Sequence, residues 1–166
     1  MTDEQPSGTA HVHGDHVDTD VIIPARHCTT MNEAELASHC LEDLDPSFVD
    51  ESEAGDFIVA GINFGCGSSR EQAPLAIKGA GVAGVIARSF ARIFFRNAVN
   101  VGLPVYECPE AVDAIQEGDR LQVDPEAGRI VNETRGEQYE VASYPPAVLE
   151  IIEAGGMVPY VRQKLQ

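Results

Sequence analysis

The chain has no tryptophan, only two lysines and no long uninterrupted apolar run. A membrane-spanning helix needs about 20 consecutive apolar residues, so no transmembrane segment is predicted. No secretory signal is visible either, and a cytoplasmic location is expected. Its 11 basic residues stand against 27 acidic ones, for a formal net charge of -16. Because nucleic-acid binding relies on clustered positive charge, this balance disfavours a nucleic-acid partner. The composition resembles that of proteins from salt-loving organisms; the alternative is an acidic protein kept soluble by its charge.

No metal site is predicted within this chain. Its cysteines are dispersed and include no C-x-x-C pair: Cys28, Cys40, Cys66 and Cys108. His11 and His13 could touch a metal, but the end of a solvated strand is the favoured interpretation. The spacing of Asp15, Asp18 and Asp20 lacks the glycine and the distant glutamate of a calcium loop. A turn capped by aspartates explains these carboxylates equally well.

The length of 166 residues, 43% of them apolar, is typical of one domain. Residues 1–10 are predicted to form a mobile tail before a single domain, 11–166. Apolar strand-like runs alternate with helical segments across 57–108, which favours parallel pairing. A small antiparallel meander is predicted over 120–142. Further helices are predicted over Glu33–Leu41, Pro109–Gln116 and Ala147–Ala154. The mixture predicts an α/β fold.

The most informative stretch is a glycine-rich loop between a predicted strand and a predicted helix. Residues 61–74 are Gly-Ile-Asn-Phe-Gly-Cys-Gly-Ser-Ser-Arg-Glu-Gln-Ala-Pro. The apolar run Phe57–Ala60 predicts a buried strand before the loop, and Leu75–Lys78 predicts a helix after it. Glycines at 61, 65 and 67 permit tight turns and close approach of the backbone to another group.

The polar residues of this loop are suited to an anion. Ser68 or Ser69 is predicted to cap the following helix, with Glu71 or Gln72 completing a capping-box pattern. A helix N-terminus has unpaired N–H groups and a partial positive charge, and Arg70 adds a fork of donors that matches a carboxylate. These features predict a carboxylate pocket with a serine at its floor. The alternative is a capped helix after a glycine turn, without chemistry.

Better-known functional loops do not fit this stretch. The dinucleotide fingerprint requires a glycine where Arg70 stands, and the phosphate loop requires a lysine and a hydroxyl after its second glycine. Neither serine has a glycine two residues away on both sides, as the nucleophile elbow of hydrolases requires. A nucleophilic Cys66 is a competing hypothesis, although no histidine-plus-carboxylate pattern supports it.

Three arginines, Arg88, Arg92 and Arg96, recur every four residues. We expect them on one face of a helix that Ser89 caps and that extends over Phe90–Asn97. A solvated basic face explains the row; so does a surface that docks on an acidic partner. The sequence leaves both interpretations open.

The motif Asn63–Glu71 resembles the signature of the aconitase superfamily's swivelling domain. The resemblance continues through Gly14–Ala25, Ala87–Phe94 and Asn97–Pro104, and it covers roughly residues 12–160. In the shorter members of this family the domain is a separate chain, the small subunit of 3-isopropylmalate dehydratase or of homoaconitase. The resemblance implies a three-layer β/β/α swivelling domain.

The resemblance also implies a hydro-lyase that acts on a small dicarboxylate, active only with a large subunit. That partner would hold a [4Fe–4S] cluster, and this chain would bind no cofactor itself. Ser68 would be the catalytic base, working as an alkoxide, while Ser69 and Arg70 would hold a substrate carboxylate. Three further residues would support the site: Asp20, Gly65 and Gly67.

In this family the loop after Pro24 recognises the distinctive side group of the substrate. Here Cys28, Thr29 and Thr30 occupy it, and Thr29 stands where homoaconitase-like relatives have an arginine. This resemblance favours a small apolar branch and therefore 3-isopropylmalate, an intermediate of leucine biosynthesis. Gln72 replaces a frequent histidine, so homoaconitase and citramalate-type hydro-lyases stay as alternatives. A non-catalytic anion-binding module is the alternative from another class.

Overall fold

One mixed sheet organises the protein, whose computed structural model describes residues 7–166. Its strand order is β4-β3-β2-β1-β5-β6-β7. The strands are β1 (Ser7–Val12), β2 (Phe57–Ala60), β3 (Gly84–Ala87), β4 (Val105–Glu107), β5 (Arg120–Asp124), β6 (Arg129–Asn132) and β7 (Glu137–Glu140). Strands β1 to β4 pair in parallel, and β5, β6 and β7 pair antiparallel. Strand β1 joins the two halves, since it also pairs with β5. The predicted α/β fold, parallel region and meander are therefore confirmed.

Eight α-helices and one 3₁₀ helix, Ala25–His27, complete the described part of the chain. The α-helices are α1 (Thr19–Ile22), α2 (Glu33–Ala37), α3 (Phe48–Glu51), α4 (Gln72–Gly79), α5 (Arg92–Val101), α6 (Pro109–Ala114), α7 (Pro146–Glu153) and α8 (Met157–Lys164). None of these helices is both long and apolar enough to cross a membrane.

Two apolar cores lie on opposite faces of the parallel strands. Successive side chains of a strand point to opposite faces. In β2, Ile58 and Ala60 accordingly pack with the helices, while Phe57 and Val59 pack with the antiparallel strands and α6. All four residues are buried, which explains why this strand is a continuous apolar run. Helices, parallel strands and antiparallel strands thus form three layers, as the resemblance implied.

The predicted tail is corrected, because residues 7–10 belong to strand β1. Ala10 is fully buried, and Gly8 packs so closely on the backbone that an added Cβ would lie 1.8 Å from the Gly55 oxygen. Because the first residues of this strand are small or polar, the sequence shows no alternation of apolar and polar residues there. The rest of the predicted tail, 1–6, lies outside the described residues. The single swivelling domain stays a prediction, with Ser7 as its revised start.

Helix boundaries also differ from the predictions. Helix α5 begins at Arg92, and Ser89 does not cap it; the Ser89 hydroxyl instead accepts a hydrogen bond from the Asn63 N–H at 2.7 Å. The helix extends past Asn97 to Val101 and is followed by Gly102, whose φ of 81° is accessible to glycine. Helix α2 ends at Ala37, earlier than predicted. Helix α8 was not predicted; it begins at Met157, directly after Gly156, and no side chain caps its start.

A buried carboxylate, Asp56, fixes the start of β2 against β1. It accepts hydrogen bonds from the Thr9 N–H at 3.0 Å, the Glu53 N–H at 3.0 Å and the His11 ring at 2.7 Å. Burial opposes ionisation of this carboxyl, but the hydrogen bonds outweigh burial and lower the pKa of Asp56 below its usual 3.8. Because the folded-state pKa is lowered, the stabilisation is present above the unfolded value and lost as the pH falls through the folded value.

Replacing Asp56 with Asn should lower the free energy of unfolding by about 1–3 kcal/mol at pH 7, because buried donors lose their charged acceptor. The difference from the unsubstituted protein should shrink as the pH falls below about 4. Urea unfolding from pH 7 to pH 3 measures it. Asp50→Asn, at an exposed carboxylate on α3, is the control and should change stability by less than about 0.5 kcal/mol. A difference that stays constant across this pH range would contradict the assignment.

Candidate active site

The glycine-rich loop and the segments that follow β1 and β3 meet at the carboxyl ends of the parallel strands, where open α/β sheets bind ligands. A cavity of about 210 Å³ lies there. The loop after β2 contributes the glycines and polar residues of the predicted pocket: Gly65, Gly67, Ser68, Ser69 and Arg70. The start of α5 forms the opposite wall, from Ala91 to Phe94. The structure thus brings the serines and the arginine of the loop together around one cavity.

Two glycines of the loop are required by close contacts. Gly65 has a φ of +82°, and a Cβ there would lie 2.2 Å from the Phe94 ring. Gly67 has a φ of +93°, and a Cβ there would lie 2.4 Å from a carboxylate oxygen of Asp18. Any L side chain at either position would meet both backbone strain and a steric clash. These glycines therefore shape the cavity and need not touch a ligand.

Thr19 holds the backbone on both sides of Gly67. Its N–H donates to the Cys66 oxygen at 2.8 Å, and its hydroxyl donates to the Ser68 oxygen at 2.8 Å. Thr19 is buried, whereas Ser68 and Ser69 are exposed. The Ser68 hydroxyl makes no hydrogen bond to another described residue. The peptide of Ser68 is fixed while its side chain stays accessible to a ligand.

Arg70 is held by groups from the segment 20–28. Its Nη2 pairs with Asp20 Oδ1 at 2.6 Å. Its Nη1 lies 3.5 Å from the Ile23 oxygen and 3.8 Å from Cys28 Sγ. The Arg70 side chain is 21% exposed, so these contacts do not bury it completely. The structure places Asp20 beside Arg70, where the predicted supporting role requires it.

The loop after Pro24 approaches the site through its contact with Arg70. Cys28 contacts the guanidinium, but Thr29 is exposed, and the Thr30 hydroxyl accepts a hydrogen bond from the Asn32 N–H at 3.0 Å. None of these three lines the cavity itself. The structure therefore brings Cys28 next to Arg70 and does not place the two threonines in the cavity.

Glu42 anchors this loop, a role that the sequence analysis missed. His27 Nε2 lies 2.7 Å from Glu42 Oε2, and the His27 ring stacks on His39 with centroids 3.6 Å apart. Arg26 pairs with Glu42 at 3.1 Å and with Asp43 at 2.8 Å. Residues 26 and 42 are too far apart in sequence for the three- or four-residue spacing of a helix to indicate their contact. Only the tertiary structure shows this anchor.

The positive helix end at the cavity belongs to α5, which corrects the prediction. Helix α4 begins at Gln72 with Glu71 before it, and neither Ser68 nor Ser69 caps it. The loop extends past both serines, and Thr19 holds the backbone of Ser68. Helix α5 has no side-chain cap, and its first N–H groups, at Arg92, Ile93 and Phe94, lack intrahelical partners and border the cavity.

Two residues of α5 were missed as site residues. Arg92 and Asn97 line the cavity together with Thr19. Arg92 belongs to the row of three arginines noted in the sequence. Its position beside the Ser68 loop could not be predicted, because it depends on α5 beginning at Arg92. Two guanidinium groups and a helix N-terminus thus surround a cavity with an exposed serine. Such an arrangement favours an anionic ligand.

A nucleophilic Cys66 fits the structure poorly. Burial raises the pKa of the Cys66 thiol, and the negative charge of Asp18 raises it further. A thiolate is the reactive form of cysteine, so this environment disfavours attack by Cys66 at neutral pH.

The cysteines do not form a cluster-binding group in the described part of the chain. Three other side chains there have donor atoms within 4.8 Å of one another: His27, His39 and Glu42. Their two rings are parallel, at 5°, so their in-plane lone pairs do not converge on one point. Arg26 also occupies the carboxylate of Glu42. This group therefore serves as an anchor for the loop.

Known proteins resemble this chain along almost its whole length. The model of the aconitase C-terminal domain family matches residues 5–110. The 3-isopropylmalate dehydratase small subunit of Moorella thermoacetica is 57% identical over 159 residues, 96% of this chain and 96% of the relative. The 2,3-dimethylmalate dehydratase small subunit of Eubacterium barkeri is 53% identical over 154 residues, 93% of this chain and 94% of the relative.

A solved structure has the same fold. The crystal structure of a 3-isopropylmalate dehydratase from Methanocaldococcus jannaschii matches with a TM-score of 0.91 and 44% sequence identity, covering 98% of this chain and 96% of that chain. The family model spans more than half of the chain and includes the loop that forms the cavity. By sequence, fold and site, the chain belongs to the aconitase C-terminal domain family.

Proposed function

We propose that this chain is the small subunit of a 3-isopropylmalate dehydratase. With a large subunit, it would interconvert 2- and 3-isopropylmalate in leucine biosynthesis, by loss and re-addition of water. The observation that carries the proposal is the identity of 57% with a small subunit of that name, over 96% of both chains. The anion-binding cavity beside an exposed serine is the site where such chemistry would take place.

Ser68 would remove the carbon-bound proton of the substrate. A serine hydroxyl is a very weak acid, so its alkoxide needs strong electrostatic stabilisation. The first N–H groups of α5 and the side chain of Arg92 border the same cavity and supply positive potential. Thr19 would keep the Ser68 backbone in one position, so that little reorganisation accompanies proton transfer. Restricting the reacting group in this way lowers the entropic part of the barrier.

Arg70 would bind a substrate carboxylate, with Ser69 as a neighbouring donor. In the free chain Asp20 pairs with the guanidinium at 2.6 Å. Asp20 is 56% exposed, so solvent screens this pair and a substrate carboxylate can bind at the remaining donors. Asp20 would thereby fix the orientation of the guanidinium and leave its other N–H donors for the substrate carboxylate.

The chemistry that this chain lacks would come from the large subunit. The relatives are named as small subunits, and such a subunit acts with a larger partner. We propose that the partner carries a [4Fe–4S] cluster, which supplies a Lewis acid for departure of the hydroxyl group. This chain would bind no cofactor, and alone it would be inactive. We further propose a cytoplasmic location for the assembled enzyme.

The substrate would be a dicarboxylate with a small apolar branch. A third carboxylate near the loop after Pro24 would need a cation there. Arg26 is the cation of this loop, and it is already paired with Asp43 and Glu42. A carboxylate buried without a partner is costly, so tricarboxylates would bind poorly. Homoaconitase is therefore disfavoured.

A second candidate substrate is 2,3-dimethylmalate. A relative of that specificity is 53% identical to this chain, close to the value for the isopropylmalate relative. Both compounds have two carboxylates and small alkyl groups, and apolar pockets discriminate only about 1–3 kcal/mol per methylene. Citramalate-type acids fall in the same class. A non-catalytic anion-binding module is disfavoured, because both relatives are named as dehydratase subunits.

Ser68→Ala should reduce turnover of the assembled enzyme by at least about 10³-fold, a loss of roughly 4 kcal/mol in transition-state stabilisation. The KM for 3-isopropylmalate should change much less, because the carboxylate-binding groups stay in place. Steady-state kinetics with saturating large subunit measures both constants. Ser143→Ala, at an exposed serine outside the cavity, should behave as the unsubstituted protein. Near-normal turnover of Ser68→Ala would remove Ser68 from the role of base.

Arg70→Lys should raise the KM of the assembled enzyme at least about tenfold, because an ammonium keeps the charge but lacks the two-pronged fork. The same assay, with substrate varied over a wide range, measures the effect. Arg129→Lys, at an exposed arginine of β6, serves as the control. Unchanged steady-state constants for Arg70→Lys would rule out bidentate binding of the carboxylate.

A further inference from the structure

A second cavity, of about 420 Å³, lies beside the candidate active site on α5. Its walls are Phe90, Arg92, Phe95, Arg96 and Glu107. Arg92 also lines the cavity of Ser68, so the two openings are adjacent. We call the second opening the α5 cavity. The proposed proton transfer at Ser68 does not use it.

Two arginines of the α5 cavity have no partner. Arg92 and Arg96 lie one helical turn apart, and both are exposed. Neither forms an ion pair within the described residues, whereas Arg88, the third member of the row, pairs with Asp113. The formal net charge of the chain is -16, so intramolecular carboxylates are abundant. Arg92 and Arg96 nevertheless have no carboxylate partner among the described residues, so together they favour an external carboxylate.

Aromatic side chains complete the α5 cavity. Phe90 and Phe95 are half-buried, with ring centroids 5.9 Å apart in an edge-to-face arrangement. Ile93, which is 53% exposed, follows Arg92 on the same helix. Arginine and aromatic residues are the types enriched at the centres of protein interfaces. The surface suits a protein segment that presents a carboxylate next to an apolar side chain.

The position of the α5 cavity identifies the occupant, provided that the proposed function holds. In that function the large subunit must bring its reacting group to the opening beside Ser68. Because Arg92 borders both openings, a partner that covers the first extends over the second. We propose that the α5 cavity is a docking site for an acidic segment of the large subunit, with Arg96 pairing a carboxylate and the phenylalanines receiving an apolar side chain.

Arg96→Glu tests this proposal, because Arg96 lies in the α5 cavity and not in the cavity of Ser68. The dissociation constant of the complex with the large subunit should rise at least about tenfold, since like charges then face each other. Arg96→Gln should give a smaller loss and a weaker dependence of affinity on salt. Titration calorimetry from 50 mM to 500 mM salt measures both. Arg162→Glu, at an exposed arginine of α8, makes the same charge change elsewhere and should leave the affinity nearly unchanged.

The outcomes separate this proposal from the proposed function. If the unsubstituted chain assembles into an active enzyme and Arg96→Glu binds the large subunit equally well, docking at the α5 cavity is wrong while the function stands. An equal loss for Arg162→Glu would also overturn it, because net charge alone would then explain the effect. If the unsubstituted chain does not bind the large subunit at all, both proposals fail. If Arg96→Glu instead abolishes self-association of the free chain, the occupant is a second copy and the proposal is overturned.

Discussion

The site depends on a backbone ladder that continues the parallel sheet beyond the ends of its strands. The Gly65 N–H donates to the Val17 oxygen at 2.8 Å on one side of the loop after β2. On the other side the Phe64 N–H donates to the Ser89 oxygen at 3.0 Å, and the Ala91 N–H donates to the Phe64 oxygen at 2.9 Å. These hydrogen bonds hold together the three loops that follow β1, β2 and β3. This close packing explains why two glycines are required, and it turns the start of α5 toward Ser68.

The charged groups of the site lie at the same edge of the sheet. A chain with a net charge of -16 has a helix N-terminus and Arg92 on one wall of its cavity and Arg70 on the other. Asp20 binds Arg70 from outside, and Glu42 with Asp43 engages Arg26. Arg92 and the helix N-terminus are thereby the positive groups of the cavity that no described carboxylate neutralises. A small dicarboxylate would be attracted to these groups, although the protein as a whole repels anions.

Part of this arrangement could be predicted from the sequence, and the rest depends on contacts between distant segments. The continuous apolar run Phe57–Ala60 and the motif of the following loop were sufficient for the parallel core and for the positions of Ser68 and Arg70. The roles assigned to these residues stay predictions. Capping rules were wrong for Ser68, Ser69 and Ser89, because the backbone near the first two is held by Thr19 and the Ser89 hydroxyl is used by Asn63. Residues 7–10 of strand β1 were assigned to a tail, since they are small and reveal no alternation.

Reconstitution from purified subunits tests the central claim most directly. The chain, its cognate large subunit with the cluster intact, and their mixture would each be assayed with 2-isopropylmalate and with homocitrate. The account predicts isomerisation only in the mixture, with kcat/KM for 2-isopropylmalate well above that for the tricarboxylate. Activity of this chain alone, or a preference of the mixture for homocitrate, would contradict it.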